Sequence, residues 1–573
     1  MQGEPGGYFI HQEPGVEEGL RYAYVLPNQV ERPDPASRWQ PEGVHRPSAT
    51  FFPETSDWSD DDWRGVPRAD LVIYELHVGA FTQEGTFEAV ARRLPELAEL
   101  GVTAIELMPV AQFPGERNWG YDGVYLNAVQ SSYGGPRELQ RLVNVAHRAG
   151  LAVFLDVVYN HLGPEGNYLS DFGPYFTDRY HTPWGAAMNF DGADSDPVRR
   201  FVVDNACSWI RDFHVDGLRL DAVHGIFDLG PRHILAEIQD AVQAETRRCQ
   251  RPALVIAETN QNDVRLVAPR ERGGHALDGL WSDDFHHSLH ALLTRERTSY
   301  YADFGHPEHL AKTYTDVFVN DGNYSAFHRR RHGTAVDGAP RECFVVCAQN
   351  HDQVGNRPLG DRLSILWPPA TQRFSCALLM LSPCVPLLFM GQEYGETSPF
   401  PFFCSFSDAG LVEAVRDGRR AEFAHPAAGE APDPQDFATF ERARLSWTWL
   451  DDPVRSGLRK LYADLLDARR RWPALRDRRH VRAHVFDYAV ASTPDERRAV
   501  LSIERGEGNL IALANLCHEP CARPEVALGG RKLLLSSEER RYGGEREPHH
   551  TTDVLRPFEV LVYGATGALS DKA

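Results

Sequence analysis

Between residues 71 and 393, short apolar runs alternate with amphipathic stretches. Eight runs stand out, at 71–78, 102–109, 151–159, 217–221, 253–258, 279–284, 343–350 and 385–389. Each is too short for a buried helix and apolar on both faces, the pattern of a strand covered on both sides. Helix-period stretches separate them, for example 87–100, 136–149 and 198–213. Repeated strand–helix units give a parallel sheet, and eight of them close into a (β/α)8 TIM barrel. The expected fold class is therefore α/β. A doubly wound open sheet is the alternative, but no Gly-rich phosphate loop supports it.

The flanks follow another pattern. Residues 474–573 carry short β-rich segments at 481–490, 499–503, 510–514, 532–536 and 558–562, which predict a C-terminal antiparallel β-sandwich. A helical stretch at 457–472 precedes them and closes a catalytic region expected at 67–473. Residues 1–66 offer two strand candidates, 8–11 and 20–26, too few for a stable sandwich. They read as an incomplete N-terminal β-sandwich and a linker. The connection after the third strand, about 161–195, is long and rich in Gly, Pro and aromatic residues. An insertion on that face of a barrel is expected to be a binding loop. Residues 424–436, rich in Ala and Pro, read as an exposed loop.

Composition narrows the partners. The chain of 573 residues is 42% hydrophobic and carries a formal charge of −21. That balance argues against nucleic acid and anionic membranes, which need basic patches, and leaves room for a neutral substrate such as a sugar. Nine cysteines are scattered; the close pairs Cys343/Cys347 and Cys517/Cys521 lack a second pair at zinc-finger spacing. They read as reduced thiols of a cytoplasmic protein. The N-terminus has no signal pattern and no apolar run is long enough to span a membrane.

Catalytic groups of a TIM barrel sit at the C-terminal ends of its strands. The fourth run ends Asp-Gly-Leu-Arg-Leu-Asp, delivering Arg219 and Asp221. Residues two apart on a strand share a face, so the arginine lies beside the aspartate and favours its anion. The fifth run ends in Glu258 and the seventh in His351 and Asp352; the third ends with Asp156, Val158 and Asn160 on one face, then His161. A lone acid at a strand end is usually a cap or an ion-pair partner. Three acids ending runs four, five and seven are harder to explain that way. Retaining glycosidases need a carboxylate nucleophile and a carboxylic acid about 5–5.5 Å apart. Asp221 fits the first role. Glu258, after an apolar run, fits the second, because desolvation favours its protonated form. Asp352 remains to stabilise an oxocarbenium-like transition state, with His351 and His161 on sugar hydroxyls. Tyr121, in the Asn-Trp-Gly-Tyr-Asp segment after strand two, can stack on a pyranose ring.

The segments 156–161, 217–221, 257–258 and 350–352 resemble, in order and spacing, the signature regions of the α-amylase superfamily. The resemblance implies Asp221 as nucleophile, Glu258 as general acid/base and Asp352 as transition-state stabiliser. It implies Arg219, His161 and His351 as ligands of subsite −1, and Tyr121, next to Asp122, as the stacking tyrosine. Within the superfamily, the stretches at 33–38, 41–45, 74–79, 175–185, 281–287 and 350–357 look like those of maltooligosyltrehalose trehalohydrolases. Such enzymes cleave the α-1,4 bond next to a terminal trehalosyl unit and release trehalose. The resemblance thus implies a trehalose-ended α-glucan oligosaccharide as substrate and functional coupling to a maltooligosyltrehalose synthase. The Asp-Asp-Phe-His-His stretch, with Asp284, His286 and His287, separates this reading from branching enzymes, the nearest alternative. A non-catalytic glycan-binding relative is the alternative of another class, and the intact acid set argues against it.

Two departures stand out. The family has a complete N-terminal β-sandwich, and this chain opens about halfway through one. Residues 401–408 also lack the family's usual Phe-Phe-x-Asp-His pattern, since no His follows Asp408. Some α-amylases bind calcium through a residue matching Asn160. No cage of oxygen ligands surrounds it here, so neither a metal nor a cofactor is expected.

Overall fold

Eight parallel strands close on themselves in sequence order in the computed structural model. They are Ile73–Leu76 (β1), Ala104–Leu107 (β2), Ala152–Val157 (β3), Gly217–Leu220 (β4), Leu254–Ala257 (β5), Gly279–Trp281 (β6), Phe344–Cys347 (β7) and Val385–Phe389 (β8). The structure describes residues 1–3, 9–422, 431–489, 497–548 and 553–564. Of the sequence expectations, Tyr8, Val490 and residues 424–430 lie outside the described residues.

Alternation along each strand splits the core in two. Outward residues such as Tyr74, Leu76, Ile105, Leu107, Leu218 and Leu220 join the core under the surrounding helices. Inward residues Ile73, Ala104, Phe154, Ile256, Val345 and Leu387 fill the barrel interior. Two residues further along three of these strands stand Glu75, Glu106 and Asp156. Glu75 is in register with Glu106, and Asp156 with Arg219 of β4. The lower interior is thus apolar and the layer above it charged, all of it buried. This floor positions the site.

The helix Phe87–Leu100 illustrates the local code. Thr86 caps it by accepting from the Ala89 N–H, Phe87, Val90, Leu94 and Leu97 form its buried stripe, and Gly101 ends it at φ 104°. The sixth run ends as a strand at Trp281, earlier than expected, and Asp284 already begins the helix Asp284–Thr294. The long third connection contains an antiparallel hairpin, Phe176–Thr182 with Gly185–Met188.

Residues before the barrel form three two-stranded pairs: Gln2–Gly3 with Phe9–Ile10, Arg21–Tyr22 with Ser48–Ala49, and Tyr24–Val25 with Glu31–Arg32. The segment that follows clasps the barrel. Trp58 stacks on His214 and Trp63 on His147, while Asp60 accepts from both imidazoles. At the other end, Val481–Ala489, Arg497–Arg505, Leu510–Asn515, Val560–Gly564 and Lys532–Ser536 form a five-stranded antiparallel sheet in that spatial order. The pair Cys521–Ala522 and Val554–Leu555 adds Cys521 and Leu555 to the core on one of its faces, giving a second layer. A buried Arg373–Glu538 ion pair ties this region to the barrel. No helix among the described residues is long and apolar enough to cross a membrane.

Candidate active site

A cleft of about 610 Å³ opens where the barrel strands end. Eight of the residues singled out from sequence line it: Asp221, Glu258 and Asp352, with Tyr121, Asp122, His161, Asp284 and His287. Arg219 and His351 lie directly beneath, fully buried.

Arg219 is the hub. Its Nη1 donates to Asp156 Oδ2 at 2.6 Å and to Asp221 Oδ1 at 3.0 Å, and its Nη2 stands 3.7 Å from Glu258 Oε2. The guanidinium packs over the Trp281 ring at 4.3 Å. Burial opposes its charge, but Asp156, Tyr121, Asp221 and Glu258 around it hold its pKa well above the ordinary range. Asn160, from the end of β3, donates to the other Asp221 oxygen at 3.2 Å and engages His161 through its own carbonyl at 2.9 Å. Asp221 is thus gripped from two sides and retains only 13% side-chain exposure.

Glu258 meets different surroundings. Its Oε2 accepts from the Ala222 N–H at 2.8 Å. Burial raises its pKa first; Arg219 works against this, and Asp221 and Asp352 add to it, so the carboxyl titrates well above the usual carboxylate range. Two acids one strand apart therefore have different environments: one held by a cation and an amide, the other desolvated.

Asp352 is the open member, at 41% side-chain exposure, with His351 Nε2 3.5 Å from its Oδ1. Tyr121 stacks on His351 with ring centroids 5.3 Å apart. Its hydroxyl donates to Asp156 at 2.6 Å and lies 2.7 Å from His351 Nε2. Asp122 accepts from Asn118 at 2.6 Å, and burial raises its pKa despite that bond. Burial lowers the pKa of His161, over which Trp184 of the insertion hairpin stacks at 5.6 Å.

The Asp-Asp-Phe-His-His stretch divides. The Asp284 carboxylate accepts from the Val319 and Asn320 N–H groups and from Asn262, so it fastens a loop at the cleft wall. His287 faces the cleft, and burial lowers its pKa to about 3. His286 does not reach the cleft. Its ring is bonded at 2.6 Å to the Ala348 carbonyl and at 2.9 Å to the Tyr301 hydroxyl, because successive helical residues point about 100° apart. This corrects its expected place among the substrate-binding residues.

Other cleft residues were not legible as site residues. Asp283 precedes the expected Asp284; it is half-buried beside Asp352, and desolvation pushes its pKa up to about 7. Tyr300 and Asp303 come from a 3-10 turn, Ser299–Asp303, and His328 and His332 from a loop. None has a strand-end signal. Glu75 is buried in β1 within a run that reads only as apolar core. The loop at 401–408 packs Phe402, with Phe400 just before it, against Trp119, while the Ser407 N–H donates to Glu165.

Known proteins resemble this chain over most of its length. The description "Alpha amylase, catalytic domain" matches residues 51–181. A malto-oligosyltrehalose trehalohydrolase of Saccharolobus solfataricus is 53% identical over 79% of this chain and 78% of its own. That of Rhizobium sp. (strain M-11) is 44% identical over 94% of this chain and 89% of its own. A crystal structure assigned to the alpha amylases, from Salmonella typhimurium, superposes with a TM-score of 0.85 at 37% identity, covering 96% of this chain and 91% of that one. Identity of this degree over most of the chain makes it a member of the malto-oligosyltrehalose trehalohydrolase family.

Proposed function

We propose that this protein is a retaining glycoside hydrolase. It cleaves the α-1,4-glucosidic bond next to the terminal trehalosyl unit of maltooligosyltrehalose, releasing trehalose and a maltooligosaccharide. The observation that carries the reading is the shared hold of Arg219 on Asp221 and Glu258 at one cleft. In the first step Asp221 attacks the anomeric carbon, and Glu258 gives its proton to the departing glycosidic oxygen, so trehalose leaves as a neutral alcohol. In the second step Glu258, now a carboxylate, takes a proton from water. That water attacks the same carbon, the bond to Asp221 breaks, and the maltooligosaccharide is freed with its configuration retained. Asp352 faces the developing positive charge, and Tyr121 offers its ring to the sugar. Arg219, His161 and His351 serve the same glucosyl unit, with Asp122, Asp284 and His287 around it.

The substrate is the product of a maltooligosyltrehalose synthase, which makes such a synthase the functional partner and the cytoplasm the compartment. Incubation with maltooligosyltrehalose and, separately, with plain maltooligosaccharide tests the reading. Free trehalose is expected from the first. Its absence, with new α-1,6 branches in amylose, would replace this reading with a branching enzyme.

A further inference from the structure

Beneath the cleft lies a carboxylate that the reaction above does not use. Glu75, on β1, is 1% exposed and bonds His351 twice. Its Oε2 accepts from the His351 backbone N–H at 3.0 Å, and its Oε1 stands 2.5 Å from the ring Nδ1. The opposite ring nitrogen, Nε2, is 2.7 Å from the Tyr121 hydroxyl. That hydroxyl has one proton and gives it to Asp156, so towards His351 it can only accept. Each imidazole nitrogen therefore faces an acceptor, and both must carry a proton. Glu106, paired with Glu75 across β1 and β2, is equally buried, and neither of its oxygens has a partner among the described residues. Burial, with Glu75 beside it, pushes its pKa well above the ordinary value. Of the two neighbouring carboxyls, Glu75 is the one that bonds the imidazole.

We propose that Glu75 is a positioning residue for the glycosidase reaction: it keeps His351 doubly protonated and fixes the imidazolium, with the Tyr121 platform bonded to it, under the reacting sugar. This rests on the reading of the cleft as a retaining glycosidase site. The charges facing His351 are mixed. Glu75 from β1, Asp156 from β3 and Asp352 from its own segment bear on it, against Arg219 from β4; Glu106 from β2, held protonated by burial, and the groups of Tyr121 and His77 face it uncharged. Burial opposes the charged ring, but Glu75 and Asp352 outweigh it, and the pKa rises from 6.5 to about 9.

The test has a substrate-free arm and a kinetic arm. In the native protein with 15N-labelled histidine, the His351 signal, assigned by its loss in His351→Asn, should report an imidazolium at pH 8. A neutral ring at pH 8 overturns the proposal, whatever the protein hydrolyses. The raised value also stabilises the fold fully below pH 6.5, and this contribution fades as pH climbs through about 9. The melting-temperature difference between the native protein and Glu75→Gln should therefore narrow over that window. In the kinetic arm, Glu75→Gln should lower kcat roughly 10-fold or more at pH 8, move the alkaline limb to lower pH and leave KM nearly unchanged. Glu75→Asp should restore the limb. An unchanged limb together with an unchanged thermal difference would also overturn the proposal. Absence of trehalose release by the native protein would instead count against the function reading alone.

Discussion

The backbone N–H of Ala222 donates to Glu258 Oε2 at 2.8 Å. The residue directly after Asp221 thus sets the position of the second carboxyl. It does so from a left-handed conformation, φ 40°, which an alanine adopts at a cost of about 1–2 kcal/mol. The lacing continues along the main chain. The Glu258 N–H donates to Leu220 O, and the Val223 N–H donates to Glu258 O. The ends of β4 and β5 are therefore one unit, and the spacing of Asp221 and Glu258 is fixed by backbone rather than by side-chain rotamers alone.

Glu258→Gln tests what that unit is for. The amide oxygen can still accept from Ala222, so the geometry survives while the transferable proton is lost. We expect kcat for trehalose release to fall by about 10²–10⁴-fold with little change in melting temperature. Steady-state kinetics and a thermal melt measure both, and native-like turnover would remove Glu258 from the acid/base role.

The pH profile follows from the direction of the Glu258 shift. A carboxylic acid donates only while protonated, and burial keeps this one protonated well past the ordinary carboxyl value of 4.5. Activity is therefore expected to persist through neutrality and to fall on the alkaline side as Glu258 loses its proton. A kcat/KM profile already declining between pH 5 and 6 would contradict this assignment.

Strand-end acids were legible because a barrel converts sequence position into place. Asp221 and Glu258 directly follow the last residues of β4 and β5, whereas Asp352 stands in the first turn of the helix His351–Gly355, five residues past β7; all three line one cleft. Glu75 was not legible, because a single acid inside a run of core residues carries no sign of facing inward until the closed register sets it beside Glu106 and under His351. His286 and His287 show the converse limit. Adjacent in sequence and identical in type, they are separated by helical rotation into one residue on the cleft and one behind it. Trp184, Tyr300 and His328 arrive on irregular connections, where no period exists to read.

Arg219 carries a structural prediction distinct from the catalytic one. It is 0% exposed and satisfies Asp156 and Asp221 at once. Arg219→Met leaves buried carboxylates unpaired, and breaking such a pair from one side costs about 3–5 kcal/mol. A marked drop in melting temperature together with loss of activity is expected. Arg219→Lys keeps the charge but not the fork that reaches several carboxylates, so it should recover more stability than activity. If both variants melted like the native protein, the guanidinium would not be the hub of the site.

At the opposite end of the barrel, His147 bridges Asp60 at 2.8 Å and Asp216 at 2.9 Å and ties the N-terminal segment to the start of β4. Trp63 covers its ring and donates to Asp216 at 2.5 Å, while His214 shares Asp60 at 2.9 Å. Burial works against a charged His147, but the two aspartates outweigh it and its pKa is raised. A raised folded value means that this contribution is complete below the ordinary 6.5 and fades as pH climbs through the folded value. His214 runs the other way: burial lowers its pKa, so it withdraws stability as pH falls below 6.5. Within this clasp the clean window is therefore above 6.5, where of the two histidines His147 alone changes its contribution. His147→Gln should lower the melting temperature most near pH 6.5, and the difference should narrow at higher pH. Cleavage between residues 45 and 66 under limited proteolysis should also speed up, because the clasp holding Trp58 and Trp63 is loosened. A melting difference independent of pH would mean that His147 acts only by filling space between the two aspartates.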